Sequence, residues 1–234
     1  MDAFSYTHGM SVNVLDREMF TEAEAARLLR VAQRTLNYWL EGGEYRSRVY
    51  RPIIRIEPRG GHAAVTWAEF VEAGLLREYR QTHRVPMAEL RAFIDLVRRE
   101  FGVPYPLADQ RPYASGKELL SEAQDATRLD AGLCLVATVR GQYVLTPAAD
   151  AFYKRVTWEG DTAVAWRPHD DPQSPVLIQP GLRAGRPSIK GISTEAVWEH
   201  EQAGESVSDI ATDFDLAEED VRWALAYETS ARAA

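Results

Sequence analysis

Between Phe20 and Leu40 the apolar residues recur at helical spacing, with one interruption. Ala25, Leu28 and Leu29 share one face, and Leu36, Trp39 and Leu40 share the next. Thr21 and Glu24 stand in a T-x-x-E capping box, in which each side chain accepts from the other residue's orphan backbone N–H. Val31 and Ala32 fill a short turn, and Gly42–Gly43 closes the second run. Two short helices across a tight turn are therefore expected. Val49, Ile53, Ile54 and Ile56 then give strand character, and Gly60–Gly61 turns the chain back toward "HAAVTW", so a hairpin should follow. Helical spacing returns over Trp67 to Gln81 and Pro86 to Phe101.

The pattern loosens after residue 103. "VPYPLADQRP" is too rich in proline for regular structure, and "GKELLSEAQDA" fits either a helix or the end of a strand. Two β-rich runs flank Arg140–Gly141, a hairpin signal, and a second hairpin is centred on Gly160. Between them "PAADAFYKRV" carries proline in a first helical turn. This predicts a small β-rich platform ending near Pro168, followed by a linker at "HDDPQSP". The last stretch reads as three helices. Thr194 is placed to cap one that carries Val197 and Trp198. Ser206 with Asp209 caps the next, which carries Val207, Ile210 and Ala211. Val221, Ala224 and Leu225 line the third.

Charge divides the chain. The net charge of −8 conceals −2 over residues 1–19, +3 over 20–102 and −9 over 103–234. Such asymmetry implies different partners for the two ends. The basic residues are 24 arginines and 3 lysines, a bias that fits codon usage in a GC-rich genome and carries no chemistry here. Cys134, the sole cysteine, lies in the apolar run "AGLCLVATV" and reads as a core residue, which excludes an internal disulfide and a cysteine-rich zinc site. No apolar run approaches a membrane span and the N-terminus lacks a secretory pattern, so a cytoplasmic protein is expected. Enzyme motifs are missing: there is no H-E-x-x-H, no G-x-S-x-G and no complete phosphate loop. His169, Asp170 and Asp171 adjoin, yet three neighbours on a loop seldom converge on one ion, so neither a metal nor another cofactor is expected.

On the second N-terminal helix, Gln33, Arg34, Thr35, Asn37 and Tyr38 form the polar side, with the chemistry to pair guanine, adenine and phosphate. Arg46, Arg48, Arg51 and Arg55 in the next segment are placed to neutralise phosphates. "FTEAEAARLLRVAQRTLNYWLEGG" and the basic segment after it resemble the MerR-like winged helix over about 80 residues. The resemblance implies DNA binding through the second helix and the wing.

The C-terminal end resembles the small domain of VapB-like antitoxins. The matching residues are Gly185, Pro187, Ile189, Lys190 and Gly191, then Ala203 to Ser206, Ile210 and the run Leu216 to Glu228. It departs from the family at Ile192-Ser193-Thr194 and at Ala217, where serine or threonine usually caps the helix. A helix-turn-helix-like unit suggests DNA by analogy, but charge opposes it. Residues 194–228 hold 11 carboxylates against one basic residue, Arg222, and DNA would repel that surface.

The expected architecture is α+β, mostly α. It comprises an N-terminal extension (1–19), a winged helix-turn-helix (20–102), a β-rich middle (103–168), a linker (169–184) and a trihelical unit (185–234). The resemblance implies a non-enzymatic antitoxin that occludes a PIN-like ribonuclease toxin encoded beside it and represses their operon as a homodimer. Arg183, Arg186, Lys190, Trp198 and Arg222 are its candidate toxin contacts. The rival reading is a free-standing MerR-like regulator whose middle region senses a small ligand. A more distant one is a nuclease using the acidic residues near His169.

Overall fold

The structure, a computed structural model, describes residues 13–45, 47–61, 63–82, 87–140, 142–169 and 171–233. It is α+β and mostly helical, with nine α-helices and five two-stranded antiparallel sheets among the described residues. No described helix is long and apolar enough to cross a membrane.

Residues 13–20 belong to the fold and are not merely an extension. β1 (Glu18–Phe20) pairs antiparallel with β4 (Val65–Thr66), and the N–H of Trp67 donates to the Arg17 carbonyl at 2.9 Å. α1 (Glu22–Leu29) begins at the expected capping box. The Thr21 hydroxyl accepts from Glu24 N–H at 3.2 Å, and the Glu24 carboxylate accepts from Thr21 N–H at 2.9 Å. Arg30, in the left-handed conformation, ends the helix, and α2 (Gln33–Glu41) starts after Ala32 with Leu36, Trp39 and Leu40 fully buried.

The hairpin is shorter than its hydrophobic pattern implies. β2 (Gly43–Tyr45) pairs with β3 (Arg48–Tyr50), and regular structure then stops. Ile53 and Ile54 are core residues of an irregular loop whose N–H groups both donate to the Trp39 carbonyl, at 2.9 and 3.0 Å. The open carbonyl end of α2 supplies the partner that a neighbouring strand would otherwise supply. Gly42 makes this packing possible. Its φ is +73°, and a Cβ there would lie 2.2 Å from the Tyr50 carbonyl oxygen.

α3 (Trp67–Thr82) runs through the middle of the molecule. Trp67, Phe70, Val71, Ala73, Leu75 and Leu76 bury several sides of it, as expected for a helix wrapped by others. It packs against α1, α2 and α6 (Pro147–Arg155), and α4 (Met87–Phe101) packs on α5 (Lys117–Thr127). "GKELLSEAQDA" is thus helical. The middle hairpins are β5 (Val136–Val139) with β6 (Gln142–Leu145), and β7 (Val156–Glu159) with β8 (Thr162–Trp166). Buried Gln124 of α5 holds the first of them. Its Oε1 accepts from Leu135 and Val136 N–H, and its amide donates to the Val136 carbonyl at 2.9 Å. Cys134 is half-buried instead of deep in the core, and burial pushes its thiol pKa up.

One hydrophobic core runs continuously from Phe20 to Ile178, so no separate core marks a boundary near residue 103. A second core joins Val176 and Ile189 to Val197, Ile210, Val221, Ala224 and Tyr227. This is the trihelical unit: β9 (Ser188–Ile189), β10 (Ile192–Ser193), α7 (Thr194–Gln202), α8 (Val207–Asp213) and α9 (Glu218–Arg232). The expected linker is structured where the two cores meet. Ile178 exchanges two backbone hydrogen bonds with Trp166, at 2.8 and 2.9 Å, while Leu177 exchanges two with Ser188. Ser193 caps α7, accepting from Ala196 N–H, and Thr194 is instead the first helical residue. Ser206 caps α8 as expected.

Candidate functional site

α2 differs at its N-terminus from the other capped helices. No side chain caps it and no carboxylate lies in its first turn, whereas α1, α7 and α8 have both. Gln33 and Arg34 are exposed at this uncapped end, and the N–H groups of Thr35 and Leu36 donate to the Ala32 carbonyl at 2.8 and 3.2 Å. An uncapped N-terminus carries a partial positive charge and attracts phosphate. Thr35, Asn37 and Tyr38 are half-buried. The Asn37 amide donates to both oxygens of buried Glu22, at 3.1 and 3.2 Å, which fixes its orientation. The Tyr38 hydroxyl accepts from Arg91 of α4 at 2.8 Å. On the wing, Arg48 and Arg51 are exposed, while Arg46 lies outside the described residues.

Arg55 does not belong to this surface. It is 2% exposed, and it donates to both oxygens of Glu69 at 2.9 and 3.0 Å, to Glu41, and to the Ala64 carbonyl at 3.1 Å. Burial works against its charge, but Glu69 and Glu41 outweigh that and raise its pKa. Its role is to anchor the loop that follows the wing. Glu41 joins the same network, accepting from Arg59 and Gly60 N–H at 2.8 and 2.9 Å.

In the trihelical unit, each predicted contact residue already has an internal partner. Arg183 donates to the Gly191 carbonyl at 2.7 Å, Arg186 lies 3.4 Å from Glu195, and Arg222 pairs with Glu218 one turn away. Lys190 donates to Asp220 at 2.9 Å, a hydrogen bond that raises its pKa. The Arg232 guanidinium covers the Trp198 ring at 3.8 Å. The Arg186–Glu195 and Arg222–Glu218 pairs are exposed on both sides, so water screens them and a partner could exchange them at small cost. Glu199, Glu201, Asp209, Asp213, Asp215 and Glu219 are exposed, giving the unit its negative face. His169 Nδ1 accepts from Asp171 N–H, and its ring meets Trp223 edge-on. Asp170 lies outside the described residues, among which no three ligating side chains gather for a metal.

The turn that opens the trihelical unit lies against β1, and the unit faces the first helix of the N-terminal pair across a gap. A crevice of about 280 Å³ separates them, bounded by Phe20, Arg27, Gly185, Thr194, Tyr227 and Glu228. At its base Gly185, with φ +76°, lies so close to β1 that a Cβ would be 2.7 Å from atoms of Met19 and Phe20. The Thr194 hydroxyl donates to buried Glu228 at 2.6 Å.

Over 239 aligned residues the chain is 31% identical to the uncharacterized protein Rv2308 of Mycobacterium tuberculosis, covering 96% of each. The chain belongs to the Rv2308 family. Another relative from the same organism, named "Putative antitoxin VapB45", is 26% identical over 90% of this chain and 93% of its own length. The crystal structure of Rv2018 from Mycobacterium tuberculosis superposes with a TM-score of 0.73 at 26% identity, covering 91% of this chain and all of that one. Residues 176–227 match the family described as "Protein of unknown function (DUF433)", and this segment coincides with the trihelical unit and its joining strand. In this member of the Rv2308 family, three residues that hold the candidate surfaces in place carry no local signal in the sequence. Arg91, Glu22 and Arg232 each act on a residue at least 15 positions away or on another helix, and only the folded chain brings them together.

Proposed function

We propose that this chain is an antitoxin that binds operator DNA through α2 and the wing and neutralises a PIN-like ribonuclease toxin through its C-terminal unit. The observation that carries the reading is the pairing of two opposite surfaces in one chain. One is an uncapped helix N-terminus bearing exposed Gln33 and Arg34 beside Arg48 and Arg51 of the wing. The other is a trihelical unit with exposed carboxylates on α7, α8 and α9. The relative named as an antitoxin aligns over 90% of this chain, which supports reading the two ends as parts of one antitoxin.

On this reading DNA meets the positive surface, where lysine- and arginine-type contacts displace counterions and side chains of α2 reach base edges. The negative unit steers toward a basic partner, and an enzyme that grips RNA must be basic. Neutralisation is occlusion: the toxin's active site is covered and no bond is broken. Two-fold operators are read by two-fold proteins, so the chain acts on DNA as a homodimer.

The test is co-expression with the neighbouring reading frame, followed by co-purification and an RNA-cleavage assay. The reading expects a silent complex that becomes active when this chain is removed. No complex, with no ribonuclease activity from the neighbour, would overturn it and favour a free-standing regulator.

A further inference from the structure

Arg91 projects from α4, a helix anchored in the core by Leu90, Phe93, Ile94 and Val97. Its half-buried guanidinium joins three places that the proposed DNA surface needs to hold in register. Nη2 donates to the Tyr38 hydroxyl on α2 at 2.8 Å, and Nε donates to the Arg51 backbone carbonyl, just past β3, at 2.6 Å. The same group lies 5.4 Å from the Tyr38 ring centre and 5.7 Å from that of Tyr50, and the two rings meet edge-on at 6.4 Å.

Resting on the proposed DNA reading, we infer that Arg91 is the positioning residue that sets the wing against the recognition helix. The Arg55 network and the Trp39 carbonyl hold the loop after the wing, whereas the hairpin itself has little regular structure. Its strands are three residues each, and a two-stranded hairpin is marginal alone. Val49 on β3 is 83% exposed, so this face gains nothing from burial. A planar guanidinium fits the task because two of its N–H groups diverge toward two acceptors while its face stacks on aromatic rings. Lysine offers one compact charge, without the flat fork and face that meet both acceptors and both rings at once. Arg91 acts through Arg48 and Arg51: its Nε and Nη2 each donate within the protein, to the chain just past β3 and to α2, and that ties the two elements together.

The experiment is a double-mutant cycle with the full-length chain. The probe is a labelled duplex taken from immediately upstream of its own reading frame. Arg91→Lys and Arg91→Met are each combined with Arg48→Ala. If Arg91 positions the wing, Arg48→Ala weakens binding about fivefold in the wild-type background and less than about twofold beside either Arg91 variant. Amide hydrogen exchange at Arg48 to Tyr50 of the DNA-free protein also accelerates in Arg91→Met, with the thermal midpoint of the core nearly unchanged. An additive cycle with unchanged exchange overturns the inference, because it makes Arg91 an independent contact or a bystander. If the wild-type chain leaves the duplex unbound, the DNA reading itself falls and takes this inference with it.

Discussion

Single residues here are constrained by geometry more than by type. Arg34 is exposed at the mouth of α2, so Arg34→Ala should weaken operator binding about tenfold and flatten its salt dependence by about one counterion, while toxin binding stays intact. Binding measured at several salt concentrations would check both halves of that expectation. Arg55 looks similar in sequence and behaves oppositely. Replacing it with methionine leaves Glu69 buried without its main partner, which costs on the order of 3–5 kcal/mol. Chemical denaturation should show that loss whether or not DNA is present.

Glu72 adds a pH dependence. It is fully buried on α3, and burial lifts its pKa from 4.5 to about 7, against the pull of Arg98 and the Leu107 N–H. The folded state therefore holds this proton to higher pH than the unfolded chain does. Its contribution is fully present below pH 4.5 and is lost as pH rises toward 7, so the wild type should weaken across that window. Denaturation of Glu72→Gln over the same range should lack this fall, which for the wild type is on the order of 3 kcal/mol.

At the scale of elements, short helices depend on their ends. Ser206 caps α8, a helix of seven residues, and its hydroxyl also donates to Asp209 at 2.6 Å. Ser206→Ala should cost about 1 kcal/mol, read as a lower thermal midpoint, and Ser193→Ala should do the same at α7. α9 is preceded at its cap position by Ala217, which has no polar side chain to cap it. Asp220 compensates partly by accepting from the Ala217 N–H at 3.4 Å and from Lys190. The hairpin after α2 shows the limit of reading patterns. Val49, Ile53, Ile54 and Ile56 are spaced like a strand, yet Ile53 and Ile54 are buried while Val49 and Ile56 are exposed. What ends the strand is the approach of the chain to Gly42 and the Trp39 carbonyl, a contact with the end of α2.

At the scale of the whole molecule, the C-terminal unit is not a loosely tethered module. Leu177 and Ile178 stitch its core to the larger one, and Gly185 lets its basic turn settle on β1. Gly185→Val places a Cβ where Met19 and Phe20 already stand and strains a positive φ. We expect the unit to lift from β1, which would appear as faster proteolysis between the two cores. Removal of residues 180–234 keeps Ile178 and should release the toxin. Full neutralisation by that shortened chain would show that the toxin binds elsewhere.

Periodicity and capping chemistry alone determined the α1–α2 pair, the long helices after them, both middle hairpins and the trihelical end. These depend on residues within a few positions of one another, so local spacing encodes them. Charge along the chain likewise divided it into a weakly basic N-terminal part and an acidic C-terminal part. Only the tertiary structure decided which arginines are available. Arg48 and Arg51 remain exposed, Arg55 is consumed by Glu69 and Glu41, and Arg91, far along the chain, reaches back to Tyr38. It also decided that residues 18–20 form a strand and that Leu177 and Ile178 form bridges within the fold, because backbone pairing joins segments distant in sequence. A guanidinium has the same chemistry in either place, and only burial and the nearest carboxylate determine whether it meets a phosphate or holds a loop.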